Sequence, residues 1–163
     1  MYYNQKFTIF AVATTISFLM KKLIWIILLF LCYSSSGQGN LNGLWSGKIT
    51  QEEGGFAPDY TFEIYITQDG NKIKGRSYVY VDEIYASFDI LGEVNNEIYL
   101  SLRDNEILDN KVNDGMEWCL KKYQLVFKIK KGISSLEGFW QGKTSFSTCI
   151  PGKVFLKKQA PRA

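Results

Sequence analysis

The stretch LNGLWSGKIT (Leu41 to Thr50) returns in loosened form as SLEGFWQGKT (Ser135 to Thr144), and both contain Leu-x-Gly-x-Trp-x-Gly-Lys. Side chains of an extended chain alternate between two faces. Gly43, Trp45 and Gly47 therefore share one face of the first copy, and Gly138, Trp140 and Gly142 share the matching face of the second. Glycine lets a strand bend where a side chain would clash. An open sheet leaves two edges of unpaired backbone groups, and closure removes both. The two copies are expected to be the strands on either side of the seam of a sheet that curls onto itself. Each Trp would then plug the interior, with its flanking glycines making room for the ring.

Outward from these copies the rhythm is alternation. YTFEIYIT sets Tyr60, Phe62, Ile64 and Ile66 on one face and Thr61, Glu63, Tyr65 and Thr67 on the other, the pattern of a half-buried strand. KIKGRSYVYV repeats it, with Ile73, Gly75, Ser77, Val79 and Val81 opposite Lys72, Lys74, Arg76, Tyr78 and Tyr80. EIYASFDILGEV and NEIYLSLRD follow, and CLKKYQLVFKIK aligns Cys119, Lys121, Tyr123, Leu125, Phe127 and Ile129. Gln68 to Asn71, Asn95-Asn96 and Lys131-Gly132 supply turn chemistry. A two-residue turn at Lys131-Gly132 places Cys119 opposite Thr144. The longer connections are Glu52 to Asp59, Asn105 to Glu117 and Phe146 to Gly152. The expected fold is all-β: an antiparallel up-and-down barrel of seven or eight strands, with a β-sandwich as the alternative.

From Met20 the chain reads MKKLIWIILLFLCYSSSGQG, a short basic start, an apolar run from Leu23 to Leu31, then small residues. That is the order of an export signal, with cleavage expected after Gly37. The run is shorter than the roughly 20 residues that span a bilayer. Residues 1–19 read as an upstream extension, with translation starting at Met20. A single anchor from Ile9 to Leu31 is the rival, opposed by Lys21 and Lys22 in its middle. Cys32 follows Leu31, where a bacterial lipid-attachment site wants a small residue, so its lipidation is the lesser alternative. The expected product is one domain, residues 38–163, secreted or periplasmic.

That domain carries 16 basic and 16 acidic side chains, so the excess of +3 belongs to the signal segment. Residues 38–117 hold 6 basic and 15 acidic groups, and residues 118–163 hold 10 and one. The match of opposite charges is expected to reflect neutralisation across neighbouring strands rather than a nucleic-acid partner. Cys119 and Cys149 read as a disulfide in an exported chain, worth about 3–4 kcal/mol on the chain-entropy view. Metal binding is the rival, but the chain contains no His and two thiols alone make a poor zinc site.

Gly43-Leu44-Trp45 is similar to the Gly-x-Trp signature that opens the first strand of lipocalins, and LNGLWSG resembles the opening strand of avidins. The resemblance covers strand one and implies a calycin-type barrel holding a small molecule at its open mouth. In lipocalins a late Arg covers the Trp. Here Arg162 lies in the tail, and the Thr-Asp-Tyr loop motif is absent.

Without His, Ser-His and Cys-His nucleophilic catalysis is excluded. Asp82 and Glu83 are neighbours that a strand would point to opposite faces. Asp89 and Glu93 are the remaining acid pair. No catalytic residue, metal or cofactor is expected. Tyr65, Tyr78, Tyr80, Tyr85 and Tyr99 arise from four successive strands, and tyrosine offers an apolar body with a polar tip. They are the candidate binding residues, for a small apolar or aromatic ligand at the barrel mouth or for a protein of the cell envelope.

Overall fold

The computed structural model describes residues 40–160. The expected export signal, the extension 1–19, Cys32 and Arg162 lie outside the described residues. Eight strands follow in order: β1 (Gly43–Thr50), β2 (Asp59–Asp69), β3 (Lys72–Val81), β4 (Ile84–Asn95), β5 (Tyr99–Lys111), β6 (Leu120–Lys130), β7 (Ile133–Lys143) and β8 (Gly152–Lys158). Each pairs antiparallel with the next and β8 pairs with β1, giving a closed up-and-down barrel.

The alternation read from sequence is the alternation of the wall. On β2, Tyr60, Phe62, Ile64 and Ile66 are buried while Thr61, Tyr65 and Thr67 are exposed. On β6, Lys121, Tyr123 and Leu125 point inward with the same period, and the phase ends in exposed Ile129 near the turn. Lys131 (φ 51°) and Gly132 (φ 78°) are both left-handed, as a two-residue turn matched to strand twist requires. The β6–β7 register runs from Leu120↔Lys143 to Lys130↔Ile133.

The seam differs from expectation. The two Trp strands, β1 and β7, do not meet. β8 lies between them, placing Leu156 beside Gly47 and Leu136, and Val154 beside Ile49 and Gly138. The short β8 carries no glycine-flanked Trp, which hid its closing role. The glycines also serve a different neighbour. A Cβ on Gly47 would sit 2.0 Å from the Phe155 carbonyl oxygen, and one on Gly138 would sit 2.0 Å from that of Gln124. The missing side chains thus make room for adjoining backbone, which is how the wall coils tightly. Gly142 leaves space beside Cys119, and Gly43 adopts φ 113° at the start of β1. Trp45 and Trp140 do fill the interior, at 0% and 4% exposure. Truncating such a side chain to Ala costs about 3–5 kcal/mol.

β5 is longer than the sequence announced. Asn105 to Lys111 was expected to be a connection, yet it continues as strand, paired with β4 up to Tyr85↔Lys111. The pairing with β6 ends earlier, at Arg103↔Lys122. Register shifts between Ser87/Phe88 and Asp89/Ile90 mark bulges where β5 departs. Both faces of this extension are exposed, so no alternation betrayed it. Asp82 and Glu83 are likewise not strand residues but the turn joining β3 and β4.

The barrel has two unlike ends. The hairpin end carries the tight turns after β2, β4 and β6. There the Trp45 indole donates to the Leu41 carbonyl at 2.8 Å, with Phe127 edge-on at 6.1 Å and the Lys158 ammonium 5.7 Å above the ring. The loop end carries residues 51–58, 112–119 and 144–151. Cys119 and Cys149 form the expected disulfide, tying the last loop to the start of β6.

Neutralisation between the acidic and basic parts is confined to one place. Among the described residues the ion pairs are Lys48–Asp59, Lys111–Glu83, Lys121–Asp104 and Lys128–Glu137. Only Lys121–Asp104 joins the two parts. Their strands adjoin along β5–β6 and β1–β8, and the β1–β8 register sets Lys48 beside Phe155 rather than an acid.

Candidate functional site

The interior is filled for much of its length by Trp45, Phe62, Phe88 and Tyr123, all fully buried. Phe62 and Tyr123 stack at 5.7 Å. Space opens at the loop end, as a cavity of about 90 Å³. Its wall comes from the strands through Ile49, Tyr60, Val79, Ile84, Lys121 and Trp140, and from the loops through Phe56, Met116, Glu117 and Trp118. The alternation that turns Ile49, Tyr60 and Val79 inward positions them on three successive strands. Tyr60 and Trp118 meet edge-on at 6.4 Å.

Each polar group around the cavity is held. The Tyr60 hydroxyl donates to Gln51 Oε1 at 2.6 Å, and burial pushes that phenol above its ordinary value. Glu117 accepts from the backbone N–H of Ser145 at 3.0 Å and from its hydroxyl at 2.8 Å. Those bonds favour the carboxylate and hold Glu117 below the usual range. The Trp140 indole donates to the Thr50 carbonyl at 2.7 Å.

Beneath the cavity lies a buried polar cluster. Asp104 sits where β5 parts from β6, and its carboxylate replaces the ladder partner lost there. Its Oδ2 accepts from the Lys121 backbone N–H at 2.9 Å and from Lys121 Nζ at 3.3 Å. Its Oδ1 accepts from the Tyr123 hydroxyl at 3.0 Å. Lys121 Nζ also donates to the Cys119 carbonyl at 2.9 Å and lies 4.0 Å over the Phe88 ring. With its donors taken, Lys121 offers the cavity its aliphatic stem rather than a free charge. Burial raises the Asp104 carboxyl, against the pull of the Lys121 charge, its N–H and the Tyr123 hydroxyl. Burial likewise lowers the Lys121 ammonium, against the pull of Asp104. The Tyr123 phenol is pushed well above its ordinary value, first by burial and then by the Asp104 charge.

The tyrosines chosen from sequence are elsewhere. Tyr65, Tyr78, Tyr80, Tyr85 and Tyr99 are all exposed on the outer wall. Tyr80 faces Tyr85 across β3–β4, and both line a shallow groove with Tyr78, Glu63, Asp82 and Glu83. Tyr65 stands beside Arg76. Tyr99 lies at the opposite end, paired with Asn95. Asp89 and Glu93 are outward-facing too, opposite Arg76 and Lys72. The inward Tyr60 and the Asp104–Lys121–Tyr123 cluster escaped selection, and Trp140, singled out from sequence as an interior plug, also lines the cavity. A signal for the cluster existed: Asp104 continues the phase of Leu100 and Leu102, and Lys121 that of Tyr123 and Leu125, so two opposite charges on successive strands fall on the apolar face.

Comparison of the chain with family models, with curated proteins and with solved structures found no match.

Proposed function

We propose that this chain is an exported, calycin-like binding barrel that takes a small apolar or aromatic group into the cavity at its loop end. The observation that carries the reading is the cavity itself. It is an apolar hollow at the loop end, lined by Tyr60, Trp118 and Trp140, whose polar neighbours Tyr60, Glu117, Trp118 and Trp140 are hydrogen-bonded. Its volume of about 90 Å³ is smaller than the roughly 150 Å³ of an apolar cavity that binds benzene. It therefore takes the tip of a ring or a short branched chain, and the rest of the ligand lies among the loops. The Cys119–Cys149 bridge supports an oxidising compartment, in keeping with the export signal read from sequence.

Titration of the isotope-labelled protein with toluene tests the reading. Perturbations are expected at the amides and indoles of Ile49, Val79, Trp118 and Trp140, and Val79→Trp, which fills the hollow, is expected to abolish them. Unshifted spectra at saturating toluene would sink the proposal. Native mass spectrometry of protein purified from its own host then identifies the physiological ligand. The groove of Tyr78, Tyr80 and Tyr85 supports a second reading, a docking face for an envelope protein. Replacing Tyr78 and Tyr80 with Ser leaves capture of envelope proteins unchanged if that face is only structural.

A further inference from the structure

We infer that the outer wall across β3–β6 holds a second site, a groove for a ligand bearing two or more phosphate groups. A groove of about 470 Å³ crosses these four strands over Gly92. The registers place Lys74 beside Leu91, Leu91 beside Arg103, and Arg103 beside Lys122, so one transverse row carries three cations on four strands. The next row sets Lys72 beside Glu93, and Glu93 beside Ser101. All four cations are exposed and line the groove.

None of the four cations forms an ion pair among the described residues, as is also true of exposed Lys130, Lys153 and Lys157; what separates this row from ordinary surface lysines is its arrangement. Arg103 and Lys122 are direct cross-strand neighbours, a placement that costs stability because like charges face each other. The fold keeps this repulsion with Glu93 as the groove's single acid. An anion placed across the row removes it. Neighbouring strands lie about 4.8 Å apart, so Lys122 and Arg103 converge on one anionic group, with Arg103 able to bind it bidentately. Lys74 stands two strands from Arg103, roughly 10 Å away, within reach of a second group. Leu91 between them gives an apolar floor. Ser101 accepts from Gln124 at 2.7 Å, which fixes two neutral hydrogen-bonding groups at the edge.

The site is independent of the loop-end cavity, and its test leaves that reading untouched. Tripolyphosphate is titrated into the protein at low salt by calorimetry, beside Arg103→Gln and a control, Lys153→Gln, that removes the same charge from β8. The expected result is one-site binding that weakens with salt, about tenfold weaker in Arg103→Gln and unchanged in the control. Lys74→Gln is a second reporter, expected to weaken tripolyphosphate more than monophosphate. Flotation with vesicles containing phosphatidylinositol 4,5-bisphosphate, a headgroup with more than one phosphate, separates the ligand's sources. Vesicle binding lost in Arg103→Gln assigns a lipid headgroup, and binding of free tripolyphosphate alone assigns a soluble ligand. No binding of either probe, or equal loss in Arg103→Gln and the control, overturns the proposal.

Discussion

The indole Nε1 of Trp140 on β7 donates to the carbonyl of Thr50 at the end of β1 over 2.7 Å, although β8 lies between the two strands. Gly152, opposite Trp140 in the β7–β8 register, makes this reach feasible. A Cβ there would fall 1.8 Å from the Thr50 oxygen and 2.9 Å from the indole nitrogen. The repeated motif therefore takes part in closing the barrel through a side-chain bond spanning β8. Trp140→Phe keeps most of the ring and removes the donor, and is expected to cost about 1–3 kcal/mol. Gly152→Ala forces backbone apart and is expected to cost at least the roughly 1–3 kcal/mol of overpacking, whereas exposed Lys153→Ala stays within about 0.5 kcal/mol. Urea unfolding midpoints read all three. A Gly152→Ala variant as stable as the parent would contradict this account of the seam.

The Asp104–Lys121 pair predicts an asymmetric double-mutant cycle. The other ion pairs are exposed and worth about 0–1 kcal/mol each. The side chains of this one are 0% and 4% exposed, so removing one partner strands a buried charge at a cost of about 3–5 kcal/mol. Lys121→Met leaves Asp104 two donors, the Lys121 N–H and the Tyr123 hydroxyl. Asp104→Leu leaves the ammonium without its counter-charge, held only by the Cys119 carbonyl and the Phe88 ring, and orphans both of those donors, and is expected to be the worse single change. The double variant should recover most of the loss, yet stay below the parent. Chemical denaturation of the four proteins decides it: additive losses would show that the pair is not coupled.

What could be read beforehand follows from what leaves a trace in one dimension. Inward phase on β2, β3 and β6 did, because the apolar face alternates with a polar one. So did the β6–β7 register, because Lys131-Gly132 permits one turn. The extension of β5 left none, since Asn105 to Lys111 is exposed on both faces. The place of β8 at the seam was equally silent, as its seven residues read like any short strand. The candidate tyrosines stand on the outer wall, away from the cavity, because tyrosine suits a solvent-facing wall as well as a pocket. Burial separates Tyr60 at 8% exposure from Tyr65 at 55%, as the alternation along β2 sets them on opposite faces, but that the end of the interior beside Tyr60 stays open is decided only by closure of the barrel. The groove over Gly92 depends on three registers at once, which no single strand records.

The phenols predict the alkaline limb of stability. Tyr123 and Tyr60 have folded values raised above 10.0, chiefly by burial. Above pH 10 the unfolded chain loses these protons first, so the stability they contribute is complete below that pH and falls as pH climbs through the folded values. Lys121 acts oppositely. Its folded value is lowered from 10.5, so the unfolded chain binds the extra proton below that pH and stability rises towards it. The net decline is therefore expected above about pH 10.5, and it is expected to be shallower in Tyr123→Phe by up to about 1.4 kcal/mol per pH unit. Denaturant midpoints between pH 9 and 12 measure the slope, and parallel curves for parent and variant would remove Tyr123 from the account.

The disulfide predicts a local effect within a global loss. Past β7 the chain doubles back: Lys143 bridges Thr148, and the Cys149 N–H donates to the Gly142 carbonyl at 2.9 Å. This brings Cys149 to Cys119, 30 residues earlier, at the edge of the cavity. On the chain-entropy view such a bridge contributes about 3–4 kcal/mol, so a Cys119→Ser/Cys149→Ser variant is expected to lose about that much. The backbone bonds at Gly142, Thr144 and Ser147 hold the last loop without the bridge, and β2–β4 have no part in it. Amide exchange should therefore accelerate first in residues 112–119 and 144–151, with β2–β4 following only through global unfolding. Protein spanning residues 38–163, purified from an oxidising compartment, should show no free thiol. Two reactive thiols, or exchange accelerated equally along every strand, would show that the bridge does not staple the loop end.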